Sequence, residues 1–216
     1  MRIDITKLMG AFYNPVINAL LAKGELNPLG PGKPNESVRP QLAELTVEKA
    51  FAPEPVRDRD MAACCLAGLW LYHDFIDEAH KICQDIDTPS GSYWHGIVHR
   101  REPDFDNAKY WFRRVGRHQI FGPLEIIACS LAHQSPRDPA VAFLKNSTFD
   151  IETYEAVLSG NRDPKLSKWD PFAFIDLCQA VYEGRSHSEN LCRQIQAEEW
   201  RKLFDYCYGE ALGLKL

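Results

Sequence analysis

The sequence predicts an all-α protein. Apolar residues recur at helical spacing along the chain, period-2 alternation of strand length is hard to find, and β-branched residues are sparse. Phe174, Cys178, Val181 and Tyr182 fall at offsets of 4, 7 and 8. Trp200, Leu203, Phe204, Cys207 and Tyr208 fall at 3, 4, 7 and 8. Asp138-Pro139 and Asp170-Pro171 each place an N-cap carboxylate before a proline at the first helical position, where its missing N–H costs nothing.

Taken in order, residues 1–23 suit a short amphipathic helix, and 24–40, rich in Gly, Pro and Asn, an irregular arm that wraps the body. Residues 1–57 are therefore expected as an N-terminal helix and arm, and 58–216 as a helical domain. Met61 to His73 is apolar on all sides, as a central helix requires. Asp74 is read as the cap of the next helix, with Asp77 in its first turn. Ser92 can cap a helix from Tyr93 to Glu102, which Pro103 must interrupt. Further helices are expected after Asp138-Pro139, between Asp150 and Gly160, and after Asp170-Pro171.

The 216 residues, 45% of them hydrophobic, are enough to bury a sizeable core in one large domain. A net charge of −5 argues against global attraction to nucleic acid or anionic lipid. Seven cysteines, at 64, 65, 83, 129, 178, 192 and 207, contain no CxxC pair and sit mostly in apolar helical patterns, as buried thiols in a reducing compartment do. Asp4, Gly10, Asn14 and Pro15 interrupt the start of the chain, against a secretory leader. The longest apolar run, Met61 to Tyr72, is about half of the roughly 20 residues of a membrane span. A soluble, cytoplasmic protein is the expectation.

Asp74-Phe75-Ile76-Asp77-Glu78-Ala79 is echoed 30 residues later by Asp104-Phe105-Asp106-Asn107-Ala108, with a fainter copy ending in Asp138-Pro139-Ala140-Val141-Ala142. LAGLWLYHDFIDEAHKICQDI and DFDNAKYWFRRVG resemble tetratricopeptide-type units, a likeness that covers about residues 60–145. It implies helical hairpins packed as a short solenoid-like body; an irregular helical bundle is the alternative. Tyr93 to Gly116 is also similar to a stretch of uncharacterised bacterial proteins, which implies no activity.

Chemistry concentrates in residues 91–118, GSYWHGIVHRREPDFDNAKYWFRRVGRH. On one helix His95, His99 and Glu102 lie at i, i+4 and i+7, within an arc of about 60°. Two imidazoles one turn apart and a carboxylate can hold a divalent transition metal, or act as general base and orienter. His73, Asp77 and His80 repeat that spacing, and His73, ending an apolar helix, is the stronger candidate of these. Arg100, Arg101, Lys109, Arg113 and Arg114 can bind phosphate or carboxylate, while Tyr93 and Tyr110, with Trp94 and Trp111, can stack a planar ligand. The competing assignment is an internal network in which Arg101 pairs with Asp104 and Arg100 with Glu102.

Nucleophile elbows, P-loops and dinucleotide fingerprints are absent from the sequence, and Cys83 and Cys129 are the residual nucleophile candidates. Three readings follow. The first is a helical binding protein whose His73, Tyr93, Arg100, Arg101, Lys109, Tyr110, Arg113 and Arg114 line a pocket for an anionic small molecule or an acidic partner segment. The second is a metal-dependent or acid/base enzyme using His95, His99 and Glu102. The third is a protein–protein scaffold.

Overall fold

The protein is described from a computed structural model, which covers residues 13–22, 26–135, 138 and 169–214. Among these residues every regular element is a helix, ten in all: α1 (Pro15–Leu20), α2 (Arg39–Ala43), α3 (Val47–Phe51), α4 (Arg59–Tyr72), α5 (Ile76–Cys83), α6 (Pro89–Arg101), α7 (Phe105–Val115), α8 (Phe121–Gln134), α9 (Pro171–Tyr182) and α10 (Glu189–Leu212). The all-α reading is borne out. The helices expected after Asp138-Pro139 and between Asp150 and Gly160 lie outside the described residues.

Helix ends follow their sequence signals in most places. Asp58 caps α4 through Met61 N–H, Asp104 caps α7 through Asn107 N–H, and Asp170 precedes the N1 proline of α9. Two starts differ from expectation. The α6 helix begins a turn earlier than Ser92, where Thr88 accepts from Gly91 N–H at 3.0 Å and Pro89 takes the first position. Asp74 is not a cap: Phe75 is the N-cap of α5, and Asp74 sits at φ 65°, a left-handed conformation that Asp tolerates better than most residues. Its carboxylate is thereby turned inward, with consequences for Arg101.

Consecutive pairs α4–α5 and α6–α7 pack side by side, α6 touching both members of the first pair. Close approach is licensed by missing side chains: a Cβ on Gly96 would lie 2.6 Å from the Phe112 ring, and one on Gly68 would lie 2.9 Å from Trp94. The 24-residue α10 runs along α4, α8 and α9. Trp200 on α10 donates from Nε1 to Gly68 O at 2.9 Å. One core cluster joins α1 through α7 with Ile175 and the second half of α10, and a smaller one joins Leu29 with α8, α9 and the start of α10.

Residues 26–38 form no helix and lie against the body, their carbonyls used by side chains: Arg193 donates to Asn27 O at 3.0 Å and Gln196 to Pro28 O at 3.0 Å. Residues 39–51, within the stretch read as arm, form the short helices α2 and α3.

The apolar α4 is buried over much of its circumference, yet α6 is the more completely enclosed helix: every residue from Ser90 to Arg101 is buried. That helix carries His95, His99, Arg100 and Arg101 into the interior, and each of these polar groups must then find a protein partner. No helix among the described residues is long and apolar enough to cross a membrane.

Candidate metal centre

Two sides of α6 resolve its buried polar residues in different ways. Arg100 is fully enclosed and forms a buried ion pair with Glu199 of α10, whose Oε1 also accepts from Tyr93 Oη at 3.0 Å. The guanidinium stands over the Phe174 ring, 4.8 Å from its centroid. Arg101 donates to Asp74 Oδ1 at 2.6 Å and to the carbonyls of Leu71 and Gly30. The internal-network assignment holds in kind, but the partners are Glu199 and Asp74, not Glu102 and Asp104. Each buried guanidinium is matched by one buried carboxylate, so neither brings uncompensated charge to an anionic ligand.

The other candidate ligand-binding residues do not converge. His73 is buried at the end of α4, and its Nε2 donates to Leu20 O at 2.8 Å. Lys109 pairs with Asp176 at 2.5 Å, Arg114 with Asp87 at 2.8 Å, and Tyr110 and Arg113 are exposed. Cys83 and Cys129 have thiols pushed up to about 12, chiefly by burial, the wrong direction for a nucleophile. Ser90 and His118 make a serine–histidine contact of 3.1 Å. His118 Nδ1 accepts from Ile120 N–H, so its proton resides on Nε2 and points at the serine, which a general base could not then deprotonate.

His95 and His99, by contrast, do share a face, with rings stacked at 4.8 Å, and α5 adds a third imidazole. His80, His95 and His99 each offer one ligand atom, and these atoms all lie within 4.8 Å of one another. His80 Nε2 is 2.9 Å from His95 Nε2, and the His80 ring stands edge-on to both others. Tetrahedral bonds of 2.0–2.1 Å separate nitrogens by about 3.3 Å, so an ion needs the two rings to part by a few tenths of an ångström.

Glu102, the α6 C-cap, stands behind this trio and is not one of its close-set ligand atoms. Its Oε1 is 2.8 Å from His80 Nδ1 and its Oε2 approaches His99 Nδ1 to 3.2 Å. A carboxylate can only accept, so His80 must carry its proton on Nδ1 and turn an Nε2 lone pair toward His95. Burial alone would raise the Glu102 carboxyl, but the contacts with His99 and His80 outweigh it and hold the group below the usual range. Asp104 lies farther out, 3.7 Å from His99 Nδ1, and lines a cleft of about 290 Å³ with Phe105, Tyr182 and Glu183.

His95 is the most deeply buried of the three imidazoles. Burial first, and the neighbouring His80 and His99 next, push its imidazole down to about 3, so it is neutral at physiological pH as a ligand must be. Trp111 of α7 stacks on it at 3.9 Å, with Arg114 over the same indole. Among the described residues His95 Nδ1 is buried without a hydrogen-bond partner. Moving the ring proton there leaves both Nε2 lone pairs facing the same space. Sequence spacing thus finds two of the three clustered imidazoles; it sets Glu102 among the ligands, where the structure places it behind them, and it prefers His73 to His80, which is the third imidazole of the cluster. No family model, curated protein or solved structure matches this chain.

Proposed function

We propose that this chain is a metal-binding protein that seats a divalent late transition metal between His80 of α5 and His95 and His99 of α6. The observation that carries the reading is Glu102, which is hydrogen-bonded to the outer nitrogen of His80, lies 3.2 Å from that of His99, and leaves the inner nitrogens of both to ligate. A carboxylate in that position is the common outer partner of metal-bound histidine. An all-nitrogen donor set favours zinc, copper, nickel or cobalt over magnesium or calcium, which prefer oxygen. A metal held there supplies Lewis acidity; the chain supplies the position, the tautomers and the partial exclusion of water by Trp111.

The reading as an anionic-ligand pocket has less support, because Arg100 and Arg101 are already neutralised inside the fold. The pairs α4–α5 and α6–α7 serve as tetratricopeptide-like units in this proposal, a scaffold that brings His80 against its two partners.

The test is metal content by elemental mass spectrometry on tag-free protein purified without chelator, compared with His80→Ala and His99→Ala. Near-stoichiometric zinc, copper, nickel or cobalt in the wild type and its loss from both variants is expected. A wild type that carries none, and takes up none on equilibration with zinc, overturns the proposal.

A further inference from the structure

Three nitrogens do not fill the coordination sphere of such an ion, and the groups near enough to complete it are otherwise engaged. Among the described residues the set of close-lying ligand atoms ends with His80, His95 and His99. Glu102 is held at Nδ1 of His80 and near Nδ1 of His99, on the outer rims of both rings. Cys83, three residues beyond His80 on α5, directs its Sγ to the His80 carbonyl at 3.5 Å and is buried. Burial across the centre is graded: the His95 and His99 residues are 3% and 8% exposed, whereas the side chain of His80 is 29% exposed. Trp111 covers a face of His95.

We infer that the centre keeps one coordination position open to solvent on the His80 side, and that this position takes water or a small monodentate anion. The inference rests on the metal-binding reading and deepens it. Sites that only stabilise a fold close the sphere with four protein ligands, whereas three protein ligands leave the fourth place exchangeable. All three ligands here are neutral imidazoles, so no charge in the inner sphere offsets that of the ion. A dipositive ion so held attracts an anion of azide or formate size and acidifies a bound water. The site is therefore of the reactive kind, suited to small oxygen-donor or nitrogen-donor ligands that reach it past His80.

The test is cobalt(II) as a spectroscopic stand-in. Full-length protein is stripped with chelator, titrated with cobalt(II) while its visible absorption is followed, and then titrated with azide, with formate as competitor. Stoichiometric cobalt uptake that His99→Ala abolishes, followed by a saturable azide-induced spectral change that formate competes away, is the expected result. Cobalt bound in the wild type with a spectrum indifferent to azide and formate overturns the open position while leaving the metal-binding reading intact. Failure of the folded wild type to bind cobalt or zinc overturns both. A response to azide that appears only in Glu102→Gln means that the carboxylate closes the sphere, and also overturns the inference.

Discussion

Glu102 Oε1 lies 2.8 Å from Nδ1 of His80, a contact across 22 residues that ties the end of α6 to the middle of α5. In the proposed centre this carboxylate orients a ligand without being one. Glu102→Gln keeps the shape but replaces a charged acceptor by a weaker neutral one, and the amide can also turn its NH₂ toward the ring and favour the wrong tautomer. Outer partners of this type contribute about 10- to 100-fold in metal affinity. Zinc affinity measured by competition with a chromophoric chelator is expected to fall by that order in Glu102→Gln, with circular dichroism unchanged. An affinity equal to wild type would remove Glu102 from the centre.

The Arg100–Glu199 pair makes a different prediction, because both side chains are fully enclosed. Removing one partner strands a buried charge, which typically costs about 3–5 kcal/mol, whereas replacing both by apolar groups of similar volume is often neutral. Glu199→Leu is therefore expected to lower the unfolding free energy in urea by about that amount. Arg100→Met combined with Glu199→Leu should recover most of it, less the loss of the Tyr93 hydroxyl's acceptor. A double variant as unstable as the single would show that shape, not charge, is what the pair contributes.

These two relationships mark what was legible in the sequence. The helical class, the cap and N1 proline of α9, and the shared face of His95 and His99 depend on residues within a few positions of one another, so local spacing reveals them. His80 is 15 residues from His95, and Glu199 is 99 from Arg100; both pairings depend on how helices dock. The signal at His80 was present, since it shares the i, i+4, i+7 spacing with His73 and Asp77. His73 ends α4 and turns to Leu20 O, whereas His80, on α5, which starts after Phe75, meets His95 of α6. A carboxylate before an apolar residue reads as a cap, and its capture by a buried arginine 27 residues away has no local signature.

Gly96 tests the packing that brings these helices together. A methyl group there would stand 2.6 Å from the Phe112 ring, which is itself buried and edge-on to Tyr93. Because Gly to Ala in a helix interior is otherwise favourable by roughly 1 kcal/mol, a net loss must come from the clash. Gly96→Ala is expected to destabilise by about 1–3 kcal/mol, the usual range for overpacking. Phe112→Leu, added to it, should cost less than in the wild-type background, a coupling that a double-mutant cycle of thermal or urea unfolding reads directly. Additive effects would mean that α6 and α7 relax apart without strain.

His118 should make stability depend on pH. Its ring lies among Tyr93, Phe121 and Tyr206, and burial pushes the imidazole down from 6.5 to about 4. The folded protein therefore holds His118 neutral where the unfolded chain would protonate it, and the unfolded state binds more protons between those two values. Stability from this residue is complete above about pH 6.5, falls as the pH drops through the window, and is gone by about pH 4, a total of about 3 kcal/mol at 1.36 kcal/mol per unit. Other groups, His95 among them, titrate in the acid range as well, so the informative quantity is a difference. His118→Gln keeps a donor for Ser90 but cannot titrate. The unfolding free energy of wild type minus that of the variant, measured in urea at intervals from pH 7.5 to 4.5, should decline by about 2–3 kcal/mol toward acid. A difference that stays flat across that range would mean that His118 is protonated equally in both states, and that its acceptor contact with Ile120 N–H does not hold it neutral.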